Sequence, residues 1–140
     1  MFSFEKKSNP LVSLGVGKKA LIIKWLDEMG VENYIINDDL TIDVKGNVSL
    51  VFKKLIKFPN YIQFYHIQGY FSCSNNELIS LNGSPLICDD GFFCNFNKLD
   101  DLNYLPKIIN GNLYCYANNI DFTKEYCNKI SKISGKIDNI

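Results

Sequence analysis

The residues able to do chemistry in this 140-residue chain are five cysteines, one histidine and a scatter of aspartates. Cys73, Cys94 and Cys115 stand 21 residues apart, twice in succession. Three thiolates can ligate zinc. Equal intervals in a repeating chain, however, set sulfurs in a line rather than a tetrahedron, and a small apolar packing role fits them better. Cys88 and Cys127 lie off that interval. His66 is the single histidine, with no second imidazole for a metal and no cysteine placed by spacing to be its nucleophile. Asp38, Asp39 and Asp43 lack the ligand spacing of a calcium loop. The Asp89-Asp90 and Asp100-Asp101 pairs are adjacent, so their carboxylates diverge, and turn chemistry explains them. Gly15-Val-Gly17-Lys18-Lys19 imitates a phosphate loop, but Val12 stands where the first glycine belongs and Lys19 where Ser or Thr belongs. The expectation is a protein without catalytic residues, cofactor or metal.

The elements that carry these residues come from the repeat. Phe71-x-Cys73-x-x-Asn76-x-Leu78 recurs as Phe92-x-Cys94-x-x-Asn97-x-Leu99 and as Leu113-x-Cys115-x-x-Asn118-x-Ile120. Periods of 20 to 29 residues with this phrase mark leucine-rich coils. The reading is α+β: a leucine-rich-repeat-like parallel β solenoid of about three good coils. Stacked at about 4.8 Å, the coils form apolar columns of Phe71, Phe92 and Leu113, of the three cysteines, and of Leu78, Leu99 and Ile120. The asparagines then satisfy backbone groups left unpaired where the chain bends. Ser72, Ser74, Phe93, Asn95, Tyr114 and Tyr116 alternate with the core positions and are expected on the outer strand face. They are the candidate partner-binding residues, with cover by another part of the chain as the competing expectation.

The remaining segments read as caps on one domain, residues 1–140. Residues 1–49 form a helix and hairpin, 50–120 the coils, and 121–140 a closing cap. Residues 1–17 look irregular. Ile22, Trp25, Leu26 and Met29 share one face of a helix over Lys18 to Met29, stopped by Gly30. Leu40, Ile42 and Val44 alternate as a half-buried strand. Leu50-x-Phe52-x-x-Leu55 reads as a worn first coil. The aromatic connector 60–69 is an extra strand or a bulging loop. Phe122, Tyr126, Ile130, Ile133 and Ile137 keep helical spacing to about Ser134, with Asp121 as the cap residue.

Composition narrows the function classes. Net charge is zero, and all fifteen basic residues are lysine. The bidentate fork used on phosphates and guanine is therefore absent, which disfavours nucleic acid, although Tyr and Phe stacking on a single strand stays open. No apolar run reaches the length of a membrane span, and no signal-peptide core stands at the N-terminus. Reduced thiols in a cytoplasmic protein are the expectation, with no membrane partner.

Phe71-Ser-Cys73-Ser-Asn75-Asn76-Glu-Leu78-Ile-Ser80-Leu81-Asn-Gly83-Ser-Pro85 resembles the unit of short leucine-rich-repeat proteins found in large bacteriophages, giant viruses and some bacteria. The stretches Ile23-Lys-Trp25-Leu-Asp-Glu and Ile36 to Val48 resemble the helix-and-hairpin lead-in of that family. The resemblance implies a viral, non-enzymatic protein that binds a host protein, inhibiting or redirecting it in the host cytoplasm. A structural, oligomer-forming repeat protein is the alternative.

Overall fold

The computed structural model describes residues 10–140, with side-chain surroundings from Gly17 onward. The glycine and lysine stretch falls inside helix α1, Pro10–Glu28, which therefore starts eight residues earlier than the expected Lys18. Proline suits a first helical turn because its missing N–H has no partner there. Gly15 and Gly17 are tolerated within the helix at a cost of about 1 kcal/mol each. The expectation for residues 1–9 lies outside the described residues. At the other end Gly30 has φ +78°. Its N–H donates to Asp27 and that of Val31 to Leu26, which is the Schellman pattern that closes a helix.

Two strands per coil, not one, build the solenoid. β1 (Tyr34–Ile36) and β2 (Ile42–Val44) form an antiparallel hairpin. From β2 onward every pairing is parallel. One sheet runs β1-β2-β4-β6-β8-β10, with β4 at Phe64–Ile67, β6 at Ile87–Cys88, β8 at Ile108–Ile109 and β10 at Lys132–Ile133. The other runs β11-β9-β7-β5-β3, with β3 at Val48–Ser49, β5 at Phe71–Ser72, β7 at Phe92–Phe93, β9 at Leu113–Tyr114 and β11 at Ile137–Asp138. The result is about five turns with a period of about 22 residues. The solenoid therefore extends into both expected caps, although α1, the β1–β2 hairpin and a short closing helix are present. β2 and β3 are its first coil. Past Asp121 the helix is only α2, Lys124–Ile130, capped by Thr123 rather than Asp121. Ile133 and Ile137, expected on a helical face, lie in β10 and β11 and extend both sheets.

The connector 60–69 resolves into β4, a regular member of the first sheet. Its register with β2 slips between Ile42 and Val44. Asp43 serves that irregularity by accepting the N–H of His66 at 3.1 Å. The worn coil is real but displaced by two residues. Val48 pairs with Phe71, so Leu50 and Leu55 are the counterparts of Cys73 and Leu78, and Lys53 that of Asn76.

An apolar interior runs along the axis. Phe71 stacks on Phe92 at 5.6 Å and meets Phe64 edge-on at 5.0 Å. Trp25 packs α1 onto this row through Phe58 and Phe64, both at 6.4 Å. Leu113, the cysteine column, Leu78 and Leu99 are buried as expected. Ile120 is not: it is 50% exposed, and Phe122 is the residue buried there instead. The chain leaves the repeat at that point to build α2.

The asparagine column holds the bends. Asn97 Oδ1 accepts from Leu78 N–H, while its Nδ2 donates to the carbonyls of Cys73 and Cys94. Asn118 repeats this with Leu99, Cys94 and Cys115. Asn76 also serves the first coil, which has Lys53 at the column position, by accepting from Lys53 and Leu55. Just before each bend the backbone turns left-handed at Phe52, Asn75, Phe96 and Ala117, with φ between +55° and +58°. Asparagine tolerates that region, whereas a bulky side chain there is strained.

Candidate interaction surface

The outer face of the second sheet carries five aromatic rings in one chain of contacts. Tyr70 lies 5.8 Å from Phe93, Phe93 4.9 Å from Tyr114, Tyr114 6.2 Å from Tyr116 and Tyr116 5.4 Å from Phe96. The strands position them. In-register pairing of β7 with β9 sets Phe93 beside Tyr114. Two-residue alternation brings Tyr116 onto the same side. The first four rings are half-buried and Phe96 is exposed.

Of the six residues expected on this face, Phe93, Tyr114 and Tyr116 meet in the row. Ser72, Ser74 and Asn95 do not reach the surface. Each is buried, which corrects the expectation of exposure. Their side chains are short, and neighbouring coils close over them. Ser72 pairs in register with Phe93, whose ring also reaches Tyr70. The buried hydroxyls remain partnered: Ser72 Oγ donates to Ser74 Oγ at 3.3 Å, and Ser74 Oγ to Asn95 Oδ1 at 2.7 Å. They form a polar floor under the rings. Tyr70 and Phe96, which are not among those six, complete the row. The signal for Phe96 was its place in the repeat, where the coil before it carries Asn75.

The rings lean on one another at interplanar angles of 43° to 77°. Bases or sugars stack best on faces left open and parallel. Here much of each face is engaged by the next ring, so the row presents an apolar ridge. Such a ridge suits an apolar recess on another protein.

The groups that could carry reactions are committed elsewhere. Cys73, Cys88, Cys94, Cys115 and Cys127 are free and buried. Burial pushes the Cys73 thiol up to about 12 and raises Cys88 and Cys94 as well. A hydrogen bond with Cys127, and burial after it, raises Cys115; the same bond lowers Cys127, which is itself sealed from solvent. His66 Nε2 meets Asp89 Oδ1 at 2.9 Å and links two coils of the first sheet. Asp39 accepts from the N–H and hydroxyl of Thr41, Asp101 from the N–H of Asn103, and Asp100 from Asn119. The hydroxyl of Thr41 is the main reason the Asp39 carboxyl lies below its ordinary range.

Among the described residues no helix is long and apolar enough to cross a membrane. Searches of protein-family models, curated proteins and solved structures return no match to this chain.

Proposed function

We propose that this chain is a non-enzymatic interaction protein whose aromatic row docks against another protein. The observation that carries the reading is the continuity of Tyr70, Phe93, Tyr114, Tyr116 and Phe96 across three coils of one rigid sheet. Tyrosine and phenylalanine give large contact area at small entropic cost, and clustered aromatics dominate binding hot spots. The setting comes from the repeat's resemblance to phage and giant-virus proteins: a viral factor that inhibits or redirects a host protein in the host cytoplasm.

Affinity capture from host lysate tests this with the parent chain and with the Tyr114→Ser, Tyr116→Ser double variant. Both tyrosines are partly solvated, so the double variant is expected to fold and to lose the partner. Recovery of the same partner by both proteins would remove the row from consideration.

A structural, oligomer-forming protein is supported by the outer positions of β10 and β11, which end the two sheets and leave one side of each without a paired strand. Lys132 and Lys136 stand there, at positions where earlier coils place Ile108 and Asn112. Lysine on an edge strand opposes strand addition, so this is the weaker reading. Light scattering at high concentration separates the two.

A further inference from the structure

We propose that the turn of the first coil, Phe52 to Lys57, is a docking point for an anionic lipid surface. This does not depend on the aromatic row. Three large apolar side chains project there: Phe52 is 74% exposed, Ile56 59% and Ile79 61%. The amide of Ile79 donates to the carbonyl of Ile56 at 2.9 Å, so the two isoleucines come from backbones in direct contact on successive coils. Nothing in the described chain covers them.

Charge selects the kind of surface. Lys53, Lys54 and Lys57 are all exposed in the same turn. Between Asp43 and Glu77 the sequence has four lysines and no acid, whereas Glu77 to Asp121 holds six acids and two lysines. Zero net charge over the whole chain thus conceals a basic first coil beside an acidic middle. Glu77 is the one acid next to the turn, its N–H bonded to the Leu55 carbonyl at 2.8 Å.

The backbone fixes how the turn is built. Phe52 and Lys54 both adopt left-handed φ, +55° and +57°. Glycine or asparagine would hold this conformation with less strain. At Phe52 the conformation belongs to the repeat, since Asn75, Phe96 and Ala117 share it; Lys54 has no such counterpart in the later coils.

An anionic bilayer answers both the apolar side chains and the lysines. Its interface takes up Phe and Ile, and its headgroups attract lysine. A nucleic-acid strand would stack on Phe52 but gain little from two isoleucines, and there is no arginine to read it.

The test is co-sedimentation of the full chain with vesicles of phosphatidylcholine, with or without about 30 mol % phosphatidylserine. Binding is expected only with phosphatidylserine, and it should fall at about 0.5 M NaCl, where charges are screened. Phe52→Ser with Ile56→Ser should reduce the bound fraction about tenfold with charge unchanged. Lys53→Gln with Lys54→Gln should do the same with the apolar residues unchanged. Tyr114→Ser with Tyr116→Ser should bind vesicles like the parent, which keeps this outcome separate from that of the aromatic row. Thermal melts establish that each variant is folded. The proposal is overturned by absence of binding to the phosphatidylserine vesicles, by equal binding to neutral ones, or by a folded Phe52, Ile56 variant that binds like the parent.

Discussion

Asn97 reaches out of its own coil to take the backbone amide of Leu78, nineteen residues earlier, at 2.9 Å. With its donor side it also holds the carbonyls of Cys73 and Cys94. One side chain therefore satisfies three backbone groups on two coils. Removing it leaves them buried and unpaired, at about 1–3 kcal/mol. Asn97→Ala is expected to lower the urea midpoint accordingly. Asn118→Ala should cost less, since Asn118 is only half-buried and water can reach its partners. Unchanged midpoints for both would contradict the role assigned to the column.

The left-handed column permits a prediction of the opposite sign. Ala117 has φ +56° and an exposed side chain. Asn75 occupies the matching place two coils earlier. Ala117→Asn should raise stability by about 0.5–1 kcal/mol, and Asn75→Ala should lower it by a similar amount. Thermal melts resolve this, at about 2–4 °C per kcal/mol for a chain of this size.

The glycine corner should tolerate less. A Cβ on Gly111 would stand 2.6 Å from the Gly91 nitrogen and 2.7 Å from the Asp90 carbonyl carbon. These are backbone atoms of the adjoining coil and cannot swing aside. Gly111→Ala should destabilise by about 1–3 kcal/mol, the usual range for overpacking. Gly17→Ala is the contrast: it has open space in a helix and should be stabilising by about 1 kcal/mol. Equal midpoints for the two variants would refute the packing argument.

Alkaline pH probes the interior. The Cys73 thiol is raised to about 12 in the fold, against about 8.5 when unfolded. A group raised by folding contributes stability that is fully present below its unfolded value and lost as pH rises through the window up to its folded value. Stability should therefore fall between about pH 8.5 and 12. Cys73→Ala should make that fall shallower, as judged by urea midpoints at several pH values. An identical slope in the variant would sink the assignment.

Much of the second sheet was legible in the sequence, because its strands carry the repeat phrase: Phe71, Cys73, Asn76 and Leu78 recur at fixed steps. Of the first sheet only β2, and β4 as one of two alternatives, were legible. Ile87–Cys88 and Ile108–Ile109 are two-residue strands, too short to show alternation. β4 looked irregular because its register with β2 slips. The displaced register of the first coil followed from the same extra residues. Ile133 and Ile137 misled because their spacing satisfies a helix as well as two strands. On the outer face, alternation correctly assigned direction to Ser72, Ser74 and Asn95, but exposure depends on the size of neighbours in other coils. Phe52 escaped attention because the displaced register put it in the core.

Every passage from the first sheet to the second takes three residues: 45–47, 68–70, 89–91, 110–112 and 134–136. The return takes fourteen residues at 73–86 and 94–107 but seventeen at 115–131, where α2 absorbs the excess. Glycines at Gly69, Gly111 and Gly135 bring neighbouring backbones too close at the short corner to admit a side chain, and at Gly91 the Phe93 ring fills that space. One inserted residue there would also reverse which side chains face inward downstream. Apart from the two extra residues of β4, variation in length lies in the return arm, which makes it the place where a grafted loop, label or epitope can enter without disturbing the strands on either side.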